Sequence, residues 1–493
     1  MVNFSLLALV NAAIAGELTS NTDLDAKLRQ AEAAEHITLH EIGRSVEDRP
    51  LWAVRLRRPT VVGENACVVL LIGQQHADEP AGGEALLELI GDVALDPTKL
   101  NPSVDLWIIP RINPDGAERS QRRNANDADL NRDHVVMLQP ETKALYKLAR
   151  QIQPHLAVDC HEFGRDSSDY RKQGWTEWPQ IMMDTANLAI MPDSLYKFGV
   201  QLCEEAGKSM DAAGVNYTRY VVGDCPCCDS TGELRYSTLD ADDARNGLSL
   251  YGCVSFIIES GLLREAEDPQ ADLHKRVEAY KLLFDFFLND SSRLASIRKA
   301  ARNARTGVMP AAIPTNVMWA NQSPTVTDVR VIETATGKVR TIPTTTLMHD
   351  RMVKSAVPMP LSYVVPVEHA ELFSSLLKSH GIEFTRLDQP TSFEVQRVRL
   401  VKMENRYDEV YHRYDGRQIT NPLPVNSFEF PAGSLVVKLD DLDMVTARRA
   451  AMILEPRQLF GLYQWSVYQD AVSSDEILPV VRRPTSNLQA PLP

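Results

Sequence analysis

His76 and Glu79 stand three positions apart, directly after the apolar run Ala66 to Gln75 (ACVVLLIGQQ), and His161 follows a second such run, His155 to Cys160 (HLAVDC). Two imidazoles and one carboxylate are a common donor set for a catalytic zinc, which keeps its fourth position open for water. A lone His-x-x-Glu arises by chance, and a lone His161 reads first as a satisfied core histidine; their shared position at strand ends gives the set its weight. Glu259 closes the run Val254 to Ile258 (VSFII), where a carboxylate in a core is costly unless it has work to do. Near a metal such a carboxylate can take a proton from water whose pKa the ion lowers towards about 7. Arg122 offers a fixed positive charge to a developing oxyanion. Asn131 and Arg132 supply a fork of donors suited to a substrate carboxylate. His155 opens its strand at the wrong end to be a ligand, and His134 shares a loop with the arginines and reads as structural.

These groups need a scaffold that brings four chain positions to one edge. Ala66–Gln75, Val104–Pro110, His155–Cys160 and Val254–Ile258 are nearly continuous apolar runs, as expected of strands buried on both faces. Helical patterns over Gly83–Ala94, Glu141–Ile152, Ser194–Ala213 and about Asp272–Asn289 alternate with them. The alternation predicts an α/β fold with a mostly parallel sheet between helices. In such sheets ligands bind beyond the carboxyl ends of the strands, where His76, Glu79, His161 and Glu259 fall.

Past about residue 305 the pattern changes. Val326–Ile332, Phe393–Met403 and Ser434–Leu439 read as strands, and Val367–Ser379 as an amphipathic helix stopped by Gly381. The expected organisation is an N-terminal segment over 1–24, a catalytic domain over 25–304, a β-rich α+β domain over 305–475 and a loose Pro- and Ser-rich tail over 476–493.

The chain has 493 residues with a formal net charge of −14, which argues against nucleic acid or an anionic membrane as partner. It has no apolar stretch of membrane-spanning length. Phe4–Ala15 is apolar and ends in a small-x-small pattern, yet no Lys or Arg precedes it. It reads as a first helix or as a signal peptide, which leans the location to the cytoplasm and leaves export open. The seven cysteines do not form an evenly spaced framework; Cys225, Cys227 and Cys228 crowd one loop, open to a disulfide, a second metal or plain thiols.

Six segments, in order, resemble the zinc metallocarboxypeptidases, of which carboxypeptidase A is the best-known type. They are Gly73-Gln74-Gln75-His76-Ala77-Asp78-Glu79, Asn113-Pro114-Asp115-Gly116, Arg122-Arg123-Asn124, Asp129-Leu130-Asn131-Arg132, Asp159-Cys160-His161 and Phe256-Ile257-Ile258-Glu259-Ser260. The resemblance covers roughly residues 25–290. It implies an eight-stranded mixed sheet and one Zn2+ per chain on His76, Glu79 and His161. It implies Glu259 as the base that activates the zinc-bound water, Arg122 as oxyanion stabiliser, and Asn131 and Arg132 as the grip on a terminal carboxylate. The expected substrate is a peptide or another carboxylate-bearing amide; oligomeric state is not predicted. Two places depart from the family pattern. Tyr236 stands near the position of a mobile substrate-binding tyrosine, but its surroundings match poorly. Arg245 lies where relatives set specificity; it either attracts an acidic group or pairs with Asp242 or Asp243. The alternatives are a zinc amidase or deacylase acting on peptidoglycan peptides or N-acyl amino acids, and a binding protein without catalysis.

Overall fold

The computed structural model describes residues 18–58, 66–223, 234–322, 326–344, 347–408, 413–458 and 461–484. Phe4–Ala15 and the Cys225, Cys227 and Cys228 cluster lie outside the described residues.

Eight strands make one sheet: β1 (Ile37–Arg44), β2 (Pro50–Leu56), β3 (Cys67–Gly73), β4 (Val104–Ile109), β5 (Leu156–Gly164), β6 (Ile181–Thr185), β7 (Tyr217–Arg219) and β8 (Val254–Leu262). Their order is β1-β2-β4-β3-β5-β8-β6-β7. The central strands β4, β3, β5 and β8 run parallel, as do β6 and β7. The pairs β1–β2, β2–β4 and β8–β6 are antiparallel. The sheet is therefore mixed and largely parallel, as expected. The apolar runs occupy its middle because only there are both faces covered; Val69 to Ile72 in β3 have no exposed surface.

The longer helices described in this part are α1 (Asn21–Ala31), α2 (Pro80–Leu95), α3 (Pro140–Ile152), α4 (Asp193–Ala212) and α5 (Pro269–Leu288). Pro80 at the first turn starts α2 where its missing N–H does no harm. A Cβ at Gly82 of α2 would lie 2.5 Å from the Cβ of Cys160 on β5, so glycine lets helix and strand approach closely. Because strand residues alternate in direction, Cys160 facing α2 leaves Asp159 and His161 on the opposite face.

The C-terminal part contains α6 (Ser291–Thr306), β9 (Ala312–Ala320), β10 (Thr327–Glu333), β11 (Val339–Thr344), β12 (Asp350–Pro358), β13 (Ser362–Val365), α7 (Ala370–His380), β14 (Leu435–Lys438), α8 (Met444–Leu454) and β15 (Val481–Arg483). Helix α7 ends at Gly381 in the left-handed region, φ 65°, the stop its sequence predicts. One hydrophobic cluster runs from Leu71 and Tyr146 through Ile297 to Phe373, Leu435 and Tyr463, across the position of the expected boundary. Strand β10 pairs with Trp175–Glu177, and Leu234–Tyr236 pairs with Leu347–Met348. The expectation of a loose tail needs correcting for its first residues. Strand β15 pairs with β13, and the buried Arg482 Nε donates to Glu455 Oε2 at 2.7 Å. The strand it pairs with lies more than a hundred positions upstream, beyond the reach of local composition. No described helix is long and apolar enough to cross a membrane.

Candidate metal centre and catalytic cavity

Strand β3 ends at Gly73, and the chain turns through Gln74 in the left-handed region, φ 51°. That conformation is rare for a residue with a side chain. It is held by Arg111, whose Nε donates to Gln74 Oε1 at 2.6 Å, and by Gln74 Nε2 donating to Ala77 O at 3.2 Å. The turn delivers His76 and Glu79 to the carboxyl edge of the sheet just before α2. Strand β5 brings His161 to the same edge, and parallel pairing sets Glu259 of β8 beside it.

His76 Nδ1, His161 Nδ1 and the Glu79 carboxylate converge. His76 Nδ1 lies 2.8 Å from Glu79 Oε1, His161 Nδ1 lies 2.8 Å from Glu79 Oε2, and the two Nδ1 atoms are 2.9 Å apart. Among the described residues these three form a group whose ligand atoms all lie within 4.8 Å of one another. The outer nitrogens are engaged from behind. His76 Nε2 is 3.1 Å from Asp129 Oδ1, and His161 Nε2 is 2.7 Å from Asp159 Oδ2. A carboxylate accepts only, so it draws the ring proton to Nε2 and leaves the Nδ1 lone pair directed at the centre. Two lone pairs and a carboxylate at this separation repel unless a cation lies between them. The donor set thus fits a zinc ion, which would be held by His76 Nδ1, Glu79 and His161 Nδ1.

The support behind His161 extends further. Tyr146 OH lies 3.0 Å from His134 Nδ1, His134 Nε2 lies 2.9 Å from Gln75 Oε1, and Gln75 Nε2 donates to Asp159 Oδ2 at 2.7 Å. Every donor along this chain points towards Asp159 when His134 is neutral. Burial holds it so, pushing its pKa down to about 4. Asp129 accepts in addition from Asn131 N at 2.9 Å and from Arg122 Nε at 3.1 Å. Arg122 NH1 reaches Glu79 Oε1 at 3.3 Å, so its guanidinium sits at the rim of the donor set.

A cavity of about 520 Å³ opens over these groups, and His76, Glu79, Arg122, Asn131, Arg132, Arg245 and Glu259 all line it. Burial pushes the Glu259 carboxyl up to about 7; the charges of His161, His76 and Arg122 act in the opposite sense and Glu79 adds to the rise. Asn131 is partly committed to the scaffold, with Oδ1 accepting from Ala244 N at 2.8 Å.

Two expected contacts differ. Tyr236 does not line this cavity. It faces an adjoining one of about 380 Å³, its ring under the Arg219 guanidinium at 3.8 Å and against Trp319. Strand alternation is the reason: Arg235 and Ser237 point into the catalytic cavity and Tyr236 points away. Arg245 lines the cavity but is 1 % exposed and spent on internal partners. Its NH2 donates to Asp243 Oδ2 at 2.8 Å and to Thr238 O at 2.7 Å, and its NH1 to Thr185 O at 3.2 Å.

Sequence reasoning passes over Tyr220, whose hydroxyl is placed against Glu259; burial and that carboxylate hold its pKa well up. No motif marks it. It also gives no role to Asp129 and Asp159, although the two-residue spacing of Asp159 and His161 in one buried strand puts both on one face.

Three metal-ligating side-chain types at the carboxyl edge of a mixed α/β sheet, with a buried carboxylate alongside, form the kind of arrangement that metal-dependent hydrolases use. Residues 25–171 match the zinc carboxypeptidase family. Over those residues the chain resembles the zinc carboxypeptidases. Carboxypeptidase 2 of Trichophyton tonsurans is 24% identical over 434 residues, covering 84% of this chain and 76% of that protein. Carboxypeptidase 2 of Trichophyton rubrum is 30% identical over 242 residues, 47% of this chain and 45% of that protein. The crystal structure of carboxypeptidase A from Helicoverpa armigera overlays 61% of this chain and 80% of its own, at 18% identity and a TM-score of 0.44.

Proposed function

We propose that the protein is a zinc-dependent metallocarboxypeptidase that hydrolyses the C-terminal peptide bond of peptides, with Glu259 as general base and then general acid. The observation that carries this reading is the acceptor-only cluster of His76, Glu79 and His161, facing Glu259 in one cavity with Arg122, Asn131 and Arg132. Zinc, when bound, polarises the scissile carbonyl and makes water a better nucleophile at neutral pH.

The remaining work falls to the side chains. The Glu259 carboxylate takes one proton from the attacking water as its oxygen bonds to the carbonyl carbon. It returns that proton to the amine nitrogen as the C–N bond breaks. Arg122, fixed by Asp129, offers its guanidinium to the carbonyl oxygen as negative charge develops there. Arg132 and the Asn131 amide N–H groups hold the terminal carboxylate and so align the last peptide bond with Glu259.

The test compares a blocked dipeptide with its C-terminal amide, using protein loaded with zinc. Hydrolysis of the acid at a rate far above that of the amide supports the reading; equal rates overturn the terminal-carboxylate assignment. Metal analysis should find one zinc per chain.

A further inference from the structure

With Arg245 committed to Asp243 and backbone carbonyls, a different cation is left to meet substrate inside the cavity. Arg235 follows Leu234 in the short strand that borders the catalytic opening, and strand alternation turns its side chain inward. Its one hydrogen bond among the described residues runs from NH1 to the carbonyl of Tyr236 at 3.0 Å, and no described carboxylate forms an ion pair with it. A guanidinium carries five N–H donors, and this bond uses one of those on Arg235, a residue that lines the cavity. Burial lowers its pKa, Asp240 and Tyr220 oppose that, and the positive charges of Arg245 and Arg132 add to it. Of the acids lining the same space, Asp243 is neutralised by Arg245, Glu162 by Arg276 and Glu79 belongs to the metal set. Asp240 acts on Arg235 through its charge, with no ion pair between them, and Glu259 is the group assigned as base. The cavity therefore holds a guanidinium beyond the one assigned to the terminal carboxylate.

We propose that Arg235 is a specificity-determining residue that binds the side-chain carboxylate of a C-terminal glutamate or aspartate. The inference rests on the carboxypeptidase reading and names its substrate class: peptides ending in an acidic residue, held by Arg132 at one carboxylate and Arg235 at the other. A planar guanidinium matches a carboxylate in two parallel hydrogen bonds and matches a carboxamide poorly, so glutamate and glutamine are the discriminating pair. A basic C-terminal residue, drawn by Asp240, is the opposite outcome.

The experiment measures kcat/KM of the zinc-loaded full chain on N-benzoylglycyl-glutamate, N-benzoylglycyl-glutamine, N-benzoylglycyl-lysine and the C-terminal amide of the first. Equilibrium binding of the same four compounds is measured on zinc-loaded Glu259→Gln protein. The wild type should favour glutamate over glutamine on the order of 10- to 100-fold. Arg235→Gln should bring that ratio near one, Arg235→Lys should keep part of it, and Arg235→Glu should shift preference to lysine. A purely structural arginine would lower all rates together and leave the ratios in place. A wild-type glutamate-to-glutamine ratio near one, or a ratio unmoved by Arg235→Gln, overturns the proposal. Failure of the carboxypeptidase reading shows separately, as equal handling of acid and amide. In that event the binding ratios still decide whether Arg235 recognises a carboxylate.

Discussion

In the proposed mechanism Glu259 acts as base from a buried position, and the same burial shifts its titration. Its carboxyl is pushed up to about 7 where an exposed glutamate would sit near 4.3. A general base must be ionised, so protonation switches it off as pH falls. With zinc saturating throughout, kcat/KM should decline on the acid side as Glu259 takes up a proton; a profile with no acid limb would count against Glu259 as the titrating base. Glu259→Gln should keep one zinc per chain and lower kcat by about 10²- to 10⁴-fold, since it removes the proton acceptor and leaves the ligands. Asp159 acts a step further back, holding the His161 proton on Nε2. Asp159→Asn should weaken zinc affinity about 10- to 100-fold, read by competition with a chelator, and unchanged affinity would show that His161 needs no such support. At this scale most of the centre was legible. His76, Glu79, His161 and Glu259 are polar residues at the ends of apolar runs, a pattern a core does not otherwise tolerate. Tyr220 and Arg235 were not legible, because their roles depend on which way two short strands face, and no apolar run announces either.

The elements work by closeness of approach. Helix α2 must lie tight on β5 so that Glu79, just before its first turn, and His161, in the strand, reach the same point. Glu162 ties the two together: its carboxylate accepts from Ala81 N at the start of α2, and its own N–H donates to Glu79 Oε2 at 3.0 Å. Gly82 allows the approach. Gly82→Ala would set a methyl 2.5 Å from the Cys160 Cβ, and neither backbone can yield without moving a ligand. It should destabilise the fold by about 1–3 kcal/mol and lower zinc affinity with it, measured by thermal unfolding with and without metal. A loss of stability with zinc affinity intact would mean that the helix shifts without carrying Glu79 along. The strand and helix pattern of residues 37–290 could be read from periodicity, because long apolar runs and amphipathic helices are local signals. Helix α6 and strand β15 could not. Helix α6 lies at the place where composition changes, and β15 is a short segment among prolines whose pairing is set by distant strands.

Across the whole molecule, the C-terminal part is fastened to the catalytic part by buried polar contacts as well as by a shared core. His380, the last residue of α7, is 1 % exposed. Its Nε2 lies 2.7 Å from the Val135 carbonyl and its Nδ1 lies 3.2 Å from the Tyr251 hydroxyl, an arrangement that suits the neutral ring with its proton on Nε2. Tyr251 therefore holds this joint and does not line the catalytic cavity. Burial pushes the His380 pKa down to about 3, and the charges of Arg449 and Arg150 push the same way. The unfolded chain binds this proton near pH 6.5 and the folded chain resists it. The contribution is thus complete above about pH 6.5 and is lost progressively as pH falls towards 3, reaching about 2 kcal/mol by pH 5. His380→Gln keeps a donor for Val135 and does not titrate. The variant should start less stable at pH 7, yet its unfolding midpoint should fall less than the wild type's between pH 7 and pH 5. If both fall equally, His380 is not the group that makes this joint acid-sensitive. If calorimetry also separates two transitions at pH 5 in the wild type and one in the variant, the joint between α7 and the Val135 loop is where acid first parts the two halves.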